Sequence, residues 1–205
     1  MRLANPTAEV KTVEDKKTRI YQCGKELFSA QGFKDTNVAD ITRKAGVSVG
    51  TFYNYYASKE KLFMEIFSDE NAKLKRQLME SADLNEEPLR MIQGFLARNQ
   101  EGMRSNPILK EWYNRDVYGR IEKLYREESG QDAVDFVYGD SLELVKRWQA
   151  EGKMRADIDS GMIMAMFAAI IHIETHKEEI GLMHFPQLLD YMTEFIMEGL
   201  TRRPH

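Results

Sequence analysis

Cysteine is almost missing from this chain of 205 residues. The single Cys23 rules out an intrachain disulfide and leaves no Cys cluster for a structural zinc site. Lying on an apolar stripe with Ile20 and Leu27, it is expected to be a small core residue rather than a thiol sensor. Pro is scarce, at 5, and the 13 Gly are scattered, so the chain holds no flexible linker, low-complexity segment or repeat. Long apolar runs are also lacking. The longest nearly uncharged stretch, Ser160 to Ile173, covers 14 residues, too few to span a bilayer, and is read as a buried helix. The opening MRLANPTAEVK has no apolar run of the signal-peptide kind. Together with the cysteine count this leads to an expectation of a reducing, cytoplasmic location and no membrane partner.

Catalytic constellations are absent as well. There is no glycine-rich phosphate loop after a strand, no nucleophile elbow and no Cys/His cluster, and the pairs Glu127-Glu128 and Glu178-Glu179 read as solvated faces. His172 and His176 stand at i, i+4, but the sequence between and around them is HIETH, without the glutamate that follows the first histidine in metalloproteases. Solvated or interface histidines are the reading preferred here. The expectation is no enzyme, no metal and no cofactor.

Net charge is −4, which would argue against a nucleic-acid partner if it were uniform. Residues 1–76 instead hold 14 Lys and Arg against 10 Asp and Glu, a net +4, and the remainder is −8. A modest positive end implies that a few placed residues would neutralise phosphate, and that two copies would be needed for useful affinity.

The basic end contains the most informative stretch, TNVADITRKAGVSVGTFYNYYASKEKLF at 36–63. Val38, Ile41, Thr42 and Ala45 fall on one helical face, opposite Asp40, Arg43 and Lys44. Thr36 stands where an N-cap is expected, Gly46 suits a left-handed helix end, and Ser48 can cap the next helix. The connection is then three or four residues, as a helix-turn-helix requires. In the second helix Phe52 and Tyr56 are placed to pack inward with Val47, leaving Val49, Gly50, Thr51, Asn54 and Tyr55 outward. Short side chains at its start would let the backbone approach base edges in a major groove. Ser58-Lys59-Glu60 opens a third helix, where Lys59 and the free N–H groups suit a phosphate. Tyr53 and Tyr55 also fit half-buried aromatics, and Lys59 a solvated charge.

Residues 11–67 resemble the N-terminal domain of the TetR family of bacterial transcription regulators. The resemblance is carried by Ile20, Leu27-Phe28, Gly32-Phe33, Thr36, Val38, Asp40-Ile41, Ala45-Gly46-Val47-Ser48, Gly50-Thr51-Phe52-Tyr53, Tyr55, Ser58-Lys59-Glu60 and Leu62-Phe63. By position it implies phosphate contacts at Asn37, Tyr53, Tyr55 and Lys59, and base reading by Ala39, Val49, Gly50, Thr51 and Asn54. Thr36 and Ser48 complete the expected DNA-binding set. Two departures stand out. Asn37 replaces a common Thr or Ser, and Val49 replaces a common Lys or Arg, so this position could touch a thymine methyl but not grip guanine bidentately.

The expected fold is all-α: a three-helix helix-turn-helix domain at 1–58 followed by a helical ligand-binding and dimerisation domain at 59–205. Leu62, Phe63, Ile66, Phe67, Leu74 and Leu78 predict a helix over 59–80, the natural lever between the two. Further helices are expected at 86–104, 107–127, 131–151, 158–179 and 185–202, broken at Asn106-Pro107, Gly130, Gly152, Gly181 and Pro186. The stretch from Gly139 to Ile171 resembles in pattern the family's last helices, which implies a homodimer through helices 131–151 and 158–179. The family resemblance also implies a ligand cavity, for which Trp112, Tyr113, Tyr118, Tyr125, Phe136, Tyr138, Met166, Phe167 and His172 are the candidate lining. The same residues would serve as an ordinary core. The expected function is a homodimeric regulator, a repressor on a palindromic double-stranded operator, released by a small-molecule effector. A helix-turn-helix protein without an effector, or an all-α binding module or enzyme with no DNA role, are the alternatives.

Overall fold

The computed structural model describes residues 6–83, 85–114, 116–117, 119–120, 132–175, 180, 182–185 and 187–202. Among them every regular element is helical: α1 (Pro6–Asp35), α2 (Val38–Ala45), α3 (Val49–Tyr53), α4 (Lys59–Glu80), α5 (Pro88–Ser105), a 3-10 helix (Leu109–Tyr113), α6 (Asp132–Ala150), α7 (Ser160–Thr175), a 3-10 turn (Leu182–His184) and α8 (Gln187–Thr201). The all-α expectation holds. Each break predicted from Gly, Pro or Asn and lying in described sequence falls within a few residues of an observed helix end. Asn106 does more than interrupt: its Oδ1 accepts from the N–H groups of Ile108 and Leu109 at 2.9 and 3.2 Å and so starts the 3-10 helix.

The described residues group into two compact units, one from Met1–Asn71 and Met103–Gly130, the other from Ala72–Gly102 and Gln131–His205. The first half of α4 therefore packs with the N-terminal helices, whereas the sequence boundary was placed at residue 58. The reason is apolar. Leu62, Phe63 and Ile66 are fully buried, and Phe63 meets Phe28 and Phe33 of α1 edge-on, with ring centres 5.1 and 5.0 Å apart. Removing side chains of this size from water contributes about 1.5–3 kcal/mol each. Around that core Lys25 pairs with Glu70 at 2.6 Å and Tyr21 donates to Asp69 at 2.7 Å.

On α1 the buried line runs through Ile20, Gly24 and Phe28. Cys23 is only partly buried, which corrects its expected core position. Gly24 takes the inward place because a Cβ there would come within 2.7 Å of the buried Leu62. At Gly32 the backbone leaves the helix altogether, with φ 81° and ψ 171°, a conformation nearly confined to glycine.

The second unit has its own core: Met91 of α5, Val145 and Trp148 of α6, Met154 of the connection that follows, Ile163 and Met164 of α7, and Met197 and Leu200 of α8. Trp148 is fully buried, and its indole N–H has no acceptor among the described residues. None of the described helices is long and apolar enough to cross a membrane.

Candidate nucleic-acid interface

The α2–turn–α3 unit is built locally. Ile41, Thr42 and Ala45 are buried on one face of α2, as their spacing predicts. Gly46 ends the helix at φ 65°, its N–H returning to the carbonyls of Arg43 and Thr42, and Val47 N–H donates to Thr42 O at 3.0 Å. Ser48 then caps α3, its Oγ accepting from Thr51 N–H at 3.1 Å and lying 2.9 Å from Thr51 Oγ1. The anchors of α3 are Phe52, fully buried, and Tyr56, 4% exposed, with rings 5.8 Å apart. Burial and the Glu65 carboxylate, to which its hydroxyl donates at 3.3 Å, raise the Tyr56 pKa.

With those two rings holding α3 down, the opposite face is open. Val49 is 46% exposed and Tyr53 54%, Ser48, Gly50 and Asn54 are also exposed, and Thr51 and Tyr55 are partly so. Ala39 of α2 joins the same outward set. Tyr53 rests edge-on against Phe52 at 5.4 Å, which fixes the ring while its hydroxyl stays at the surface.

Three expected contacts change role. Thr36 is 1% exposed and its hydroxyl donates to Gly32 O at 2.8 Å, so it braces the end of α1 and neither caps α2 nor faces outward. The cap is Asn37, one residue later: its Oδ1 accepts from Asp40 N–H at 2.9 Å and its Nδ2 donates to Asp40 Oδ2 at 2.6 Å. Lys59 turns inward, donating to Phe33 O at 2.8 Å and Thr36 O at 2.7 Å, with its ammonium 4.2 Å from the centre of the Phe33 ring. Burial lowers its pKa, with the Arg120 charge acting in the same direction against Glu60. Two of its three N–H bonds are thus committed to holding the bend at 33–36 against the start of α4.

A buried acid completes that clamp. Glu111 of the 3-10 helix is 6% exposed; its Oε1 accepts the Phe33 N–H at 3.1 Å and its Oε2 accepts from Asn114 Nδ2 at 3.0 Å. The sequence reading missed it because 78 residues separate the partners. It also left out Arg43, Lys44 and Lys34, which are exposed and paired with Asp40, Glu26 and Asp116 respectively. Exposed pairs of this kind are worth about 0–1 kcal/mol, so exchanging a carboxylate for a phosphate costs little.

Residues 20–66 match the family model described as "Bacterial regulatory proteins, tetR family". That segment is thus a TetR-type N-terminal domain. YdgC of Bacillus subtilis (strain 168), an uncharacterized HTH-type transcriptional regulator, is 39% identical over 71 residues, or 35% of either chain, so the match spans about a third of that relative's length. The HTH-type transcriptional repressor KstR2 of Mycolicibacterium smegmatis is 24% identical over 155 residues, 72% of each chain. Among solved structures, RolR in complex with resorcinol superposes with a TM-score of 0.64 at 14% identity, covering 93% of this chain and 90% of its own. At that identity the likeness speaks to the TetR fold.

The expected cavity residues fall in both units. Trp112 stacks on Phe67 at 5.7 Å and Tyr113 lies 5.7 Å from the Arg104 guanidinium, in the first unit. Met166 and Phe167 pack against the core of the second. Tyr118, Tyr125 and His176, and the side chains of Phe136, Tyr138 and His172, lie outside the described residues.

Proposed function

We propose that this chain is a homodimeric transcription repressor of the TetR family that reads a palindromic operator through α3 and releases it when a small molecule occupies the C-terminal unit. The observation that carries the proposal is the anchored recognition helix: Phe52 and Tyr56 buried beneath it, and Val49, Gly50, Thr51, Tyr53 and Asn54 presented above. Ala39, Val49, Gly50, Thr51 and Asn54 would meet base edges. Tyr53 and Tyr55 would meet phosphate, along with the exposed cap Asn37 and the cap hydroxyl of Ser48. Arg43 and Lys44 would join them as exposed cations at the rim, exchanging Asp40 and Glu26 for phosphate. KstR2 is named a repressor and RolR was crystallised with a small phenol; both support the same reading here. A regulator of this kind would act in the cytoplasm, where its DNA is.

The dimer surface is proposed on α7 and α8. Met162 is 56% exposed, with Ala165, Ala168 and Ala169 beside it on α7. Tyr191 and Phe195 of α8 are 57% and 65% exposed and stack on each other at 6.0 Å. On the described part of α6 the outward Glu143, Lys146 and Arg147 are instead charged, Lys146 pairing with Glu143 and Arg147 with Glu151 just beyond the helix. The proposed surface retains α7, within the expected helix 158–179, and substitutes α8 for the expected helix 131–151.

Release follows from population shift: an effector that binds better to the form with wrongly spaced reading heads weakens DNA binding by that preference. About 3 kcal/mol of preference lowers operator affinity on the order of a hundredfold. The test is selection of bound duplexes from a random pool at two salt concentrations. An enriched palindrome whose binding weakens steeply with salt is the expected result. No enrichment at either salt overturns the DNA-reading assignment.

A further inference from the structure

Lys75 of α4 carries a charge that the fold leaves unanswered. Its ammonium donates to the amide oxygen of Asn99 on α5, a residue only 7% exposed, and lies 5.6 Å from the centre of the Phe95 ring. No carboxylate pairs with it among the described residues, and its pKa falls to about 8 through burial alone. Leu78, one turn further along α4, and Met91, two turns before Asn99 on α5, are both buried. An ammonium withdrawn from water without a counter-charge is a standing cost that an incoming anion would remove.

A second donor in the same unit has no partner at all among the described residues. The fully buried Trp148 N–H has no acceptor among the described residues, and Trp148 belongs to the cluster that contains Met91, four residues before Phe95 on α5. Through Asn99, Phe95 and Met91, α5 therefore runs from the cation that lacks a counter-charge to a core with an idle N–H. The donor set is one ammonium and the Asn99 amide N–H bonds, which suits a monoanion; a phosphate dianion would call for more cations.

We propose that Lys75 and Asn99 receive the carboxylate of an apolar small-molecule effector whose body lies along Phe95 toward the Trp148 core. This assignment of ligand class rests on the small-molecule reading above. The test uses straight-chain carboxylates from acetate to dodecanoate and the matching amides, added to the full chain free of DNA, with thermal shift and calorimetry as readouts. At least one carboxylate should raise the melting temperature where its amide does not. Its affinity should fall at least about tenfold in Lys75→Met, as loss of a charge-assisted hydrogen bond requires.

Lys75→Met removes an uncompensated charge and should melt above the wild type, which checks its folding; Lys75→Gln, which keeps a polar partner for Asn99, should lose the carboxylate equally. Equal response to acid and amide, wild-type affinity in Lys75→Met, or no response of the wild type to any carboxylate overturns the assignment. Duplex selection on the same protein separates the two claims. DNA binding without a carboxylate response sinks the ligand class alone, and a carboxylate response without DNA binding sinks the regulator.

Discussion

Gly32 concentrates the constraints on the reading head. Its backbone, at φ 81° and ψ 171°, turns Phe33 so that its N–H meets Glu111 and its carbonyl meets Lys59, and a Cβ would lie 2.8 Å from Glu111 Oε1. Gly32→Ala should therefore cost at least about 1–3 kcal/mol from backbone strain, read as a lower thermal midpoint with operator affinity lost on warming. Lys59→Met leaves two carbonyls short of a donor and should cost about 1–3 kcal/mol, a stability loss that a purely phosphate-binding lysine would not show. For Lys75 the sign is opposite. Its folded pKa of about 8 lies below the ordinary 10.5, so the penalty is fully present below pH 8 and fades as pH rises toward 10.5. Lys75→Met should accordingly be more stable by on the order of 1–3 kcal/mol at neutral pH, with the gap closing across that window in melts at successive pH values.

At the scale of elements, what could be read from sequence was whatever is settled within one turn of chain. The Gly46 end, the Ser48 cap and the inward Phe52 and Tyr56 were legible because spacing and side-chain chemistry decide them within a few residues. Asn37 takes the cap expected of Thr36 because both residue types can cap and the Thr36 hydroxyl is claimed by Gly32 O. Lys59 and Glu111 were illegible as clamps, since their partners are backbone groups 23 to 78 residues away. The same limit governs α7 and α8: periodicity marks both as partly apolar, but which face stays uncovered is decided by packing. Replacing Tyr191 and Phe195 by Glu should give monomers in sedimentation and lower operator affinity about a hundredfold or more, as loss of the second half-site implies. A dimer of unchanged stability would place the interface elsewhere.

For the whole molecule, charge and architecture divide the labour. The basic 1–76 segment carries α3, the proposed reading helix, the acidic remainder supplies the second core and the exposed apolar faces, and α4 contributes to both units. A twofold dimer holding two copies of α3 must find its half-sites on one side of the duplex, about one helical turn apart, or about 34–36 Å. The most direct measurement is binding of the selected operator against a version with about half a helical turn inserted between its half-sites. The account predicts a loss of about a hundredfold or more, largely restored when the insertion is extended to a full turn. Equal affinity for all three duplexes would show that the chain does not read DNA as a twofold dimer through α3.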